Sequence, residues 1–178
     1  MMRVAARAIC AWLMLAPGPA PGAMTVQACF TPQSRCSTHI QRAIDNAKEE
    51  ILVAVYAFTN EELAGALVAA RRRGVPVRVI IDREFDAVNE NSQGRLLEKQ
   101  GIAVRRMSGV KMNVTPKETG LMHQKFAVID RRLVFSGSYN WTYAADKLNY
   151  ENLLMFHDAA PLADEYRRVF LALWGERR

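Results

Sequence analysis

The densest chemistry in the chain lies between His123 and Asn140, in the run HQKFAVIDRRLVFSGSYN. An imidazole and an ammonium open it two residues apart, Asp130 stands in its middle, and Gly137-Ser138-Tyr139-Asn140 closes it. These groups suit a phosphate: Lys125 neutralises its oxygens while His123 attacks or donates a proton. If residues 122–129 form one strand, side chains at i and i+2 share a face, so His123 and Lys125 project together. Strict alternation then sends Asp130 to the other face or into a turn, where it supports the site or the hairpin. At the far end, Gly137-Ser138 is read as a turn into a helix, whose first N–H groups make an anion site. Ser138 and Asn140 add side-chain donors, and Gly137, lacking Cβ, lets backbone approach closely.

These residues must be positioned by a sheet. Residues 26–30 alternate apolar and polar types as a first strand, and 32–36 form a loop. Ser37 or Thr38 is expected to cap a helix whose stripe is Ile40, Ala43, Ile44 and Ala47. Residues 51–58 form a continuous apolar run, the mark of a strand covered on both faces. Asn60 caps the next helix, Glu61 and Glu62 stand in its first turn, Arg71, Arg72 and Arg73 in its last, and Gly74 stops it. Strands follow over 76–82 and 102–106, with a short helix from Asn91 or Ser92 between them. The strand-helix alternation implies a parallel sheet with helices packed on it.

Residues 107–121 break the rhythm as a loop carrying Lys111 and Lys117, directly before the key stretch. Two strands, 124–129 and 133–136, flank a tight turn at Asp130, Arg131 and Arg132. A short helix covers 141–147 and a last strand 151–157. Asp158 is expected to cap a final helix that buries Leu162, Tyr166, Val169, Phe170 and Leu173. The fold class is α/β, with a mixed, mainly parallel sheet and helices on both faces. The stretch occurs once, and no internal repeat is present.

The 178-residue chain is half hydrophobic and carries a formal net charge of +6. The length suits one domain with a sizeable core, and the basic balance favours anionic partners such as nucleic acid or a phospholipid surface. Residues 1–23 have the form of a secretory signal: Arg3 and Arg7 before the short apolar run AICAWLMLA, then a Pro/Gly/Ala stretch. Cleavage is expected after Ala23, with Ala20 and Ala28 as alternatives and an uncleaved anchor as the other reading. Residues 24–178 form the remaining domain. Losing Arg3 and Arg7 lowers the net charge from +6 to +4. Export across the inner membrane to a periplasm or the outside is the expected destination. Cys29 and Cys36 are then an even pair in an oxidising compartment, which points to a disulfide. Lipidation of Cys29 within Val26-Gln27-Ala28-Cys29 is the alternative.

His123-x-Lys125-x4-Asp130-x6-Gly137-Ser138-x-Asn140 resembles the HKD signature of the phospholipase D superfamily. The likeness extends to Cys29-Phe30-Thr31-Pro32, Tyr56-Ala57-Phe58-Thr59, Arg73 to Val79 and Glu151-Asn152. It covers roughly residues 26–174, and small, secreted, single-motif bacterial endonucleases are the subgroup it is most similar to. The resemblance implies a catalytic set of His123, Lys125, Asp130, Ser138, Asn140 and Glu151, with phosphate held by Lys125, Gly137, Ser138 and Asn140. It implies a homodimer, because two HKD motifs build one site and this chain has one. One His123 attacks phosphorus, the other protonates the leaving oxygen, and Glu151 orients His123 by a hydrogen bond. It implies no cofactor and no metal. The residues agree on two points: no other histidine stands as a partner for His123, since His39 and His157 read as structural or exposed, and no spacing of His, Cys, Asp and Glu looks like a ligand set.

The substrate is the less specified part. Arg71 to Arg73, Arg105, Arg106, Lys111, Lys117, Arg131 and Arg132 are candidates to track a nucleic-acid backbone, and Tyr139 and Trp141 to stack on bases. A helix C-terminus is the simpler account of Arg71 to Arg73, and a core position that of Trp141. No base-reading module is visible, so cutting without sequence preference is expected. The alternative is a phospholipase D acting on headgroup esters, for which Met107, Val110, Met112 and Val114 are the only apolar entry.

Overall fold

The apolar run starting at Ile51 becomes a central strand because both of its faces meet helices. Ile51, Val53 and Val55 point to one core layer, Leu52 and Ala54 to the other, and all five are buried. The structure, a computed structural model, describes residues 22–110 and 119–175. The signal reading of 1–23, apart from Gly22 and Ala23, and the roles given to Lys111, Met112, Val114 and Lys117 lie outside the described residues.

The strands are β1 (Thr25–Thr31), β2 (Ile51–Val55), β3 (Val77–Asp82), β4 (Ala103–Met107), β5 (Lys125–Ile129), β6 (Leu133–Gly137) and β7 (Glu151–His157). The helices are α1 (Ser37–Asn46), α2 (Glu61–Arg72), α3 (Arg83–Val88), α4 (Gly94–Lys99), α5 (Tyr143–Lys147) and α6 (Ala160–Trp174). The seven strands form one sheet in the order β1-β7-β6-β5-β2-β3-β4. β2, β3 and β4 are parallel, whereas β5, β6, β7 and β1 pair antiparallel. The sheet is mixed as expected but not mainly parallel: among the described residues two of the six strand pairings are parallel and four antiparallel, because β5, β6, β7 and β1 follow one another across the sheet through antiparallel pairings rather than helical crossovers.

Helices α1 and α2 cover one face, over Val53, Val79, Ala127, Phe135 and Met155. Helix α6 covers the other through Ala163, Phe170 and Leu171 against Leu52, Ile80, Phe126 and Val134. Cys29 and Cys36 form a disulfide that ties β1 to the start of α1.

Local signals decide most boundaries, and their failures have identifiable causes. Asn60 caps α2, its side chain accepting from the Leu63 N–H at 3.0 Å. Ser37 and Thr38 do not cap α1: Cys36 holds the N-cap position, the Thr38 hydroxyl donates to the Arg35 carbonyl, and the Ser37 N–H goes to Asp146 instead. Asp158 does not cap α6 either. It sits at φ +52° and pairs with Arg132, leaving Ala159 at the N-cap. Strand β2 stops at Val55 because the next residues bond to the tail of the key stretch: the Trp141 N–H donates to Ala57 O, and Phe58 bridges Trp141. Helix α3 is an addition to the elements expected from the sequence; Asp82 caps it by accepting from Glu84 N and Phe85 N. Helix α4 begins at Gly94, later than Asn91 or Ser92.

Candidate active site

The parallel strands end on one edge of the sheet, where open α/β sheets place their chemistry. Register brings the rest of the key stretch there. Lys125 pairs with Val55 at the carboxyl end of β2, Gly137 with Leu153, and Glu151 with Thr31 at the end of β1.

His123 lies just before β5 and is exposed. It is not part of the strand, so parity alone does not align it with Lys125. Its backbone is held from both sides: Asp82 Oδ2 accepts from the Met122 N–H at 2.9 Å, and the Tyr56 N–H donates to Gln124 O at 2.9 Å. The Tyr56 ring gathers the two side chains. Its centroid is 5.0 Å from the His123 ring and 5.4 Å from Lys125 Nζ. Lys125 Nζ also donates to the His123 carbonyl at 2.9 Å. Imidazole and ammonium thus converge, as expected, but over an aromatic ring rather than by strand alternation alone. Burial lowers the Lys125 pKa below its ordinary value, with the Glu151 charge partly opposing it.

The far end of the stretch is built differently from the expected helix N-terminus. Helix α5 starts only at Tyr143, and the N–H groups of Ser138 and Tyr139 are both spent on Asn152 O. The anion site made of Gly137 and Ser138 backbone is therefore corrected: what remains there is side chain. Ser138 Oγ accepts from the Asn152 N–H at 3.0 Å and from Asn152 Nδ2 at 3.3 Å, which leaves its own O–H to donate. Asn140 Oδ1 accepts from the Ala57 N–H at 3.3 Å, so its NH2 is the group left for a ligand. Gly137 has φ +141°, and a Cβ there would stand 2.4 Å from Asn152 O. Close approach does require glycine, but against Asn152 rather than against phosphate.

Three assignments change. Asp130 is at the opposite edge of the sheet, a whole strand away from Lys125. Its carboxylate accepts from the backbone N–H groups of Lys48, Glu49 and Glu50, so its catalytic role is corrected to a structural one. Glu151 is not hydrogen-bonded to His123: it accepts from Asn149 Nδ2 at 3.1 Å, and its charge acts on Lys125. Tyr139 and Trp141 are both buried and stack on no substrate; the Tyr139 hydroxyl donates to Asp146 at 2.9 Å.

The basic candidates are likewise mostly committed elsewhere. Arg71 and Arg73 donate to the Gly101 and Ile44 carbonyls, and Arg72 to Gln100. Arg105 donates to Trp174 O, and Arg106 bridges Asp86 and Glu98, which raises its pKa further. Arg131 and Arg132 pair with Asp164 and Asp158 near the opposite edge.

The sequence reading missed Asp82 and Asp146, and named Tyr56 and Asn152 only as part of the likeness, without their packing and bracing roles. Asp146 is 3 % exposed and joins the Ser37 N–H, the Tyr139 hydroxyl and Arg35, tying the disulfide loop to the segment that carries Ser138 and Asn140. Burial alone would raise its pKa; the bonds from Ser37 and Tyr139 and the nearby Lys147 outweigh that and hold it below the ordinary carboxylate range. Of Asp82 and Asp146, only Asp82, ending an apolar strand ahead of a turn, carried a readable signal, that of a helix cap. Among the described residues no three His, Cys, Asp or Glu side chains converge as a metal site.

An imidazole and an ammonium gathered at the carboxyl edge of a mixed sheet are groups that a phosphoryl-transfer class of α/β enzyme needs. Comparison with known proteins gives that class its family. Residues 40–174 match the family described as "Cardiolipin synthase, PLD-like domain". The chain is 34% identical over 148 residues to a phospholipase D of Rickettsia bellii, covering 83% of this chain and 68% of that one. It is 37% identical over 169 residues to the mitochondrial cardiolipin hydrolase of Mus musculus, covering 92% and 69%. Among solved structures, NucT from Helicobacter pylori aligns with a TM-score of 0.81 at 28% identity, over 86% of this chain and 97% of that one. Nuc from Salmonella typhimurium, a phospholipase D family member, aligns with a TM-score of 0.75 at 29% identity, over 88% and 97%. The chain belongs to the phospholipase D family and is a phosphodiester hydrolase.

Proposed function

We propose that this hydrolase is an endonuclease that cuts DNA, or RNA, without sequence preference, at a site completed by a second copy of the chain. The observation that carries the reading is the likeness to two solved nucleases, NucT at a TM-score of 0.81 and Nuc at 0.75.

The step requires a nucleophile and an acid. His123 attacks phosphorus, forming a P–N bond as the P–O bond to the leaving strand breaks. The second copy's His123 gives its proton to the leaving oxygen. That imidazole, now neutral, takes a proton from water, which attacks phosphorus and releases the first His123. Lys125 and the Asn140 NH2 of both copies hold the non-bridging oxygens, and Ser138 adds a donor. This arrangement calls for no metal.

A second copy is supported by where the other histidines lie. His39 and His157 line a cleft with Asp130 at the opposite edge, out of reach of the phosphate. Phe30, Leu148 and Tyr150 are exposed beside Glu151 and Asn152, an apolar rim that self-association would cover. Export is supported by the disulfide, a bond at home in an oxidising compartment.

A phospholipid headgroup ester is the second reading, favoured by the names of the two sequence relatives. One panel separates them: plasmid, single-stranded DNA, RNA, and vesicles of phosphatidylcholine with cardiolipin, each with EDTA. Nucleic-acid cleavage by a sedimenting dimer is expected. Lipid hydrolysis alone overturns the nuclease reading, an active monomer overturns the shared site, and loss of activity in EDTA overturns the metal-free step.

A further inference from the structure

Tyr139 and Trp141 are buried, so contact with a base must come from elsewhere. A cleft of about 430 Å³ opens beside Asn140, lined by Phe85, Asn89, Asn91, Thr142 and Tyr143 together with Thr59 and two alanines. None of the described residues that line it is charged. A headgroup ammonium or a second phosphate would find no counter-charge in it. A neutral, planar group with a hydrogen-bonding edge fits: aromatic faces come from Phe85 and Tyr143, and amides from Asn89 and Asn91.

Both rings stand on fixed backbone. Phe85 lies in the first turn of α3, where its N–H donates to Asp82 Oδ1 at 3.0 Å; the other oxygen of Asp82 holds Met122, next to His123. Tyr143 opens α5, fixed by the Thr142 hydroxyl accepting from Ala145 N at 3.1 Å, and its side chain is 66% exposed. The slot is also joined to the nucleophile through rings, since Tyr56 lies 5.5 Å from Phe85 and 5.0 Å from His123. Asn140, which would hold the phosphate, forms part of its wall.

We infer that this cleft is a nucleobase subsite, in which the base next to the scissile phosphate leaves its stack and packs on Tyr143. The inference rests on the nuclease reading and adds what the substrate must offer: an unpaired base beside the cut. Duplex substrate must surrender a base pair to fill the slot. The Asn89 and Asn91 amides meet the base edge without choosing one base, since an amide presents both donor and acceptor.

The test is a single-stranded oligonucleotide carrying one tetrahydrofuran abasic position, with cleavage mapped at every phosphate. Wild-type protein is expected to cut beside the abasic position about tenfold more slowly than beside the same position bearing a base, the size of one base–aromatic stack. Tyr143→Ala is expected to lose that preference by cutting base-bearing positions about tenfold more slowly, and Tyr143→Phe to keep it, because the ring face and not the hydroxyl acts. Equal cutting at both positions by the wild type, or a preference that survives Tyr143→Ala, overturns the subsite while leaving the nuclease reading standing. Vesicle hydrolysis with no oligonucleotide cleavage overturns both.

Discussion

Replacing Asp130 by alanine should cost stability and spare catalysis, although Asp130 belongs to the motif that carries the chemistry. Its Oδ1 accepts from Lys48, Glu49 and Glu50 N–H at 3.1, 2.7 and 3.2 Å, and its Oδ2 from Lys48 N–H at 3.0 Å. Its own N–H donates to Glu50 O at 2.9 Å, a bond that alanine keeps. A bond to a charged group contributes about 1.5–3 kcal/mol, but water can replace the carboxylate at the exposed Lys48 and Glu49 N–H groups. The half-buried Glu50 N–H loses most. The expected loss is about 2–4 kcal/mol, or roughly 5–15 °C in Tm for a domain of this size. Strand β5 carries the chain about 17 Å from Lys125 to Asp130 at the usual rise per residue, so no contact with phosphate is lost. Guanidinium unfolding and kcat on a small phosphodiester, corrected for the folded fraction, should show a lowered midpoint and a kcat within about twofold of wild type. An unchanged midpoint with kcat down a hundredfold would refute the reasoning and restore Asp130 to the reaction.

Gly137→Ala puts a Cβ 2.4 Å from Asn152 O at φ +141°, so the chain must move where Ser138 and Asn140 attach. It should cost at least about 2 kcal/mol and lower kcat some 10- to 100-fold, as calorimetry and steady-state kinetics would show. Glu151→Gln removes the one charge that offsets burial at Lys125, so its pKa falls further and the ammonium loses its proton at lower pH. The alkaline limb of the pH–rate profile should therefore move to lower pH; an unmoved limb would exclude Lys125 as the group it reports. Cys29→Ser with Cys36→Ser opens a short loop with a sequence separation of 7 and should lower stability by about 2.5 kcal/mol on the chain-entropy model, matched by reductant acting on the native protein.

The fold was largely readable because its central strands are apolar on both faces and its caps are local. Asn60 and Gly74 announce α2 from their own residue types, and α2 forms between them. Where a cap failed, a distant partner had taken the group: Asp146 took the Ser37 N–H across more than a hundred residues, and Arg132 took Asp158. No pattern within a window of ten residues contains that information. The site was readable as a list of residues and less so as geometry. His123 and Lys125 do converge, but through Tyr56, Asp82 and Gln124, which belong to three separate segments. The surface was read least well. Arginines that looked like a track for a phosphate backbone are tied to carbonyls and carboxylates at other edges, because charge composition records that cations are present and not where they point.

The spacing of the motif now has a mechanical reason. The four residues between Lys125 and Asp130 carry the chain across the sheet, and the six between Asp130 and Gly137 turn it and bring it back. Asp130 and Arg131 both adopt positive φ, and Arg132 N–H closes the turn on Ile129 O, which sets the pairing of Ile129 with Leu133 and of Phe126 with Ser136. That pairing delivers Ser138 and Asn140 to the edge where Lys125 starts. A slip of one residue would turn every side chain of the strand to the other face, taking Lys125 away from Tyr56. Asp130 anchors this hairpin to the residues leading into β2, whose carboxyl end supplies Tyr56. The ladder holds the register once the protein is folded, so the aspartate acts on the free energy of that arrangement and not on the phosphate. The motif thus contains a residue that acts through the hairpin, because the distance between its other members is set by the strands that separate them.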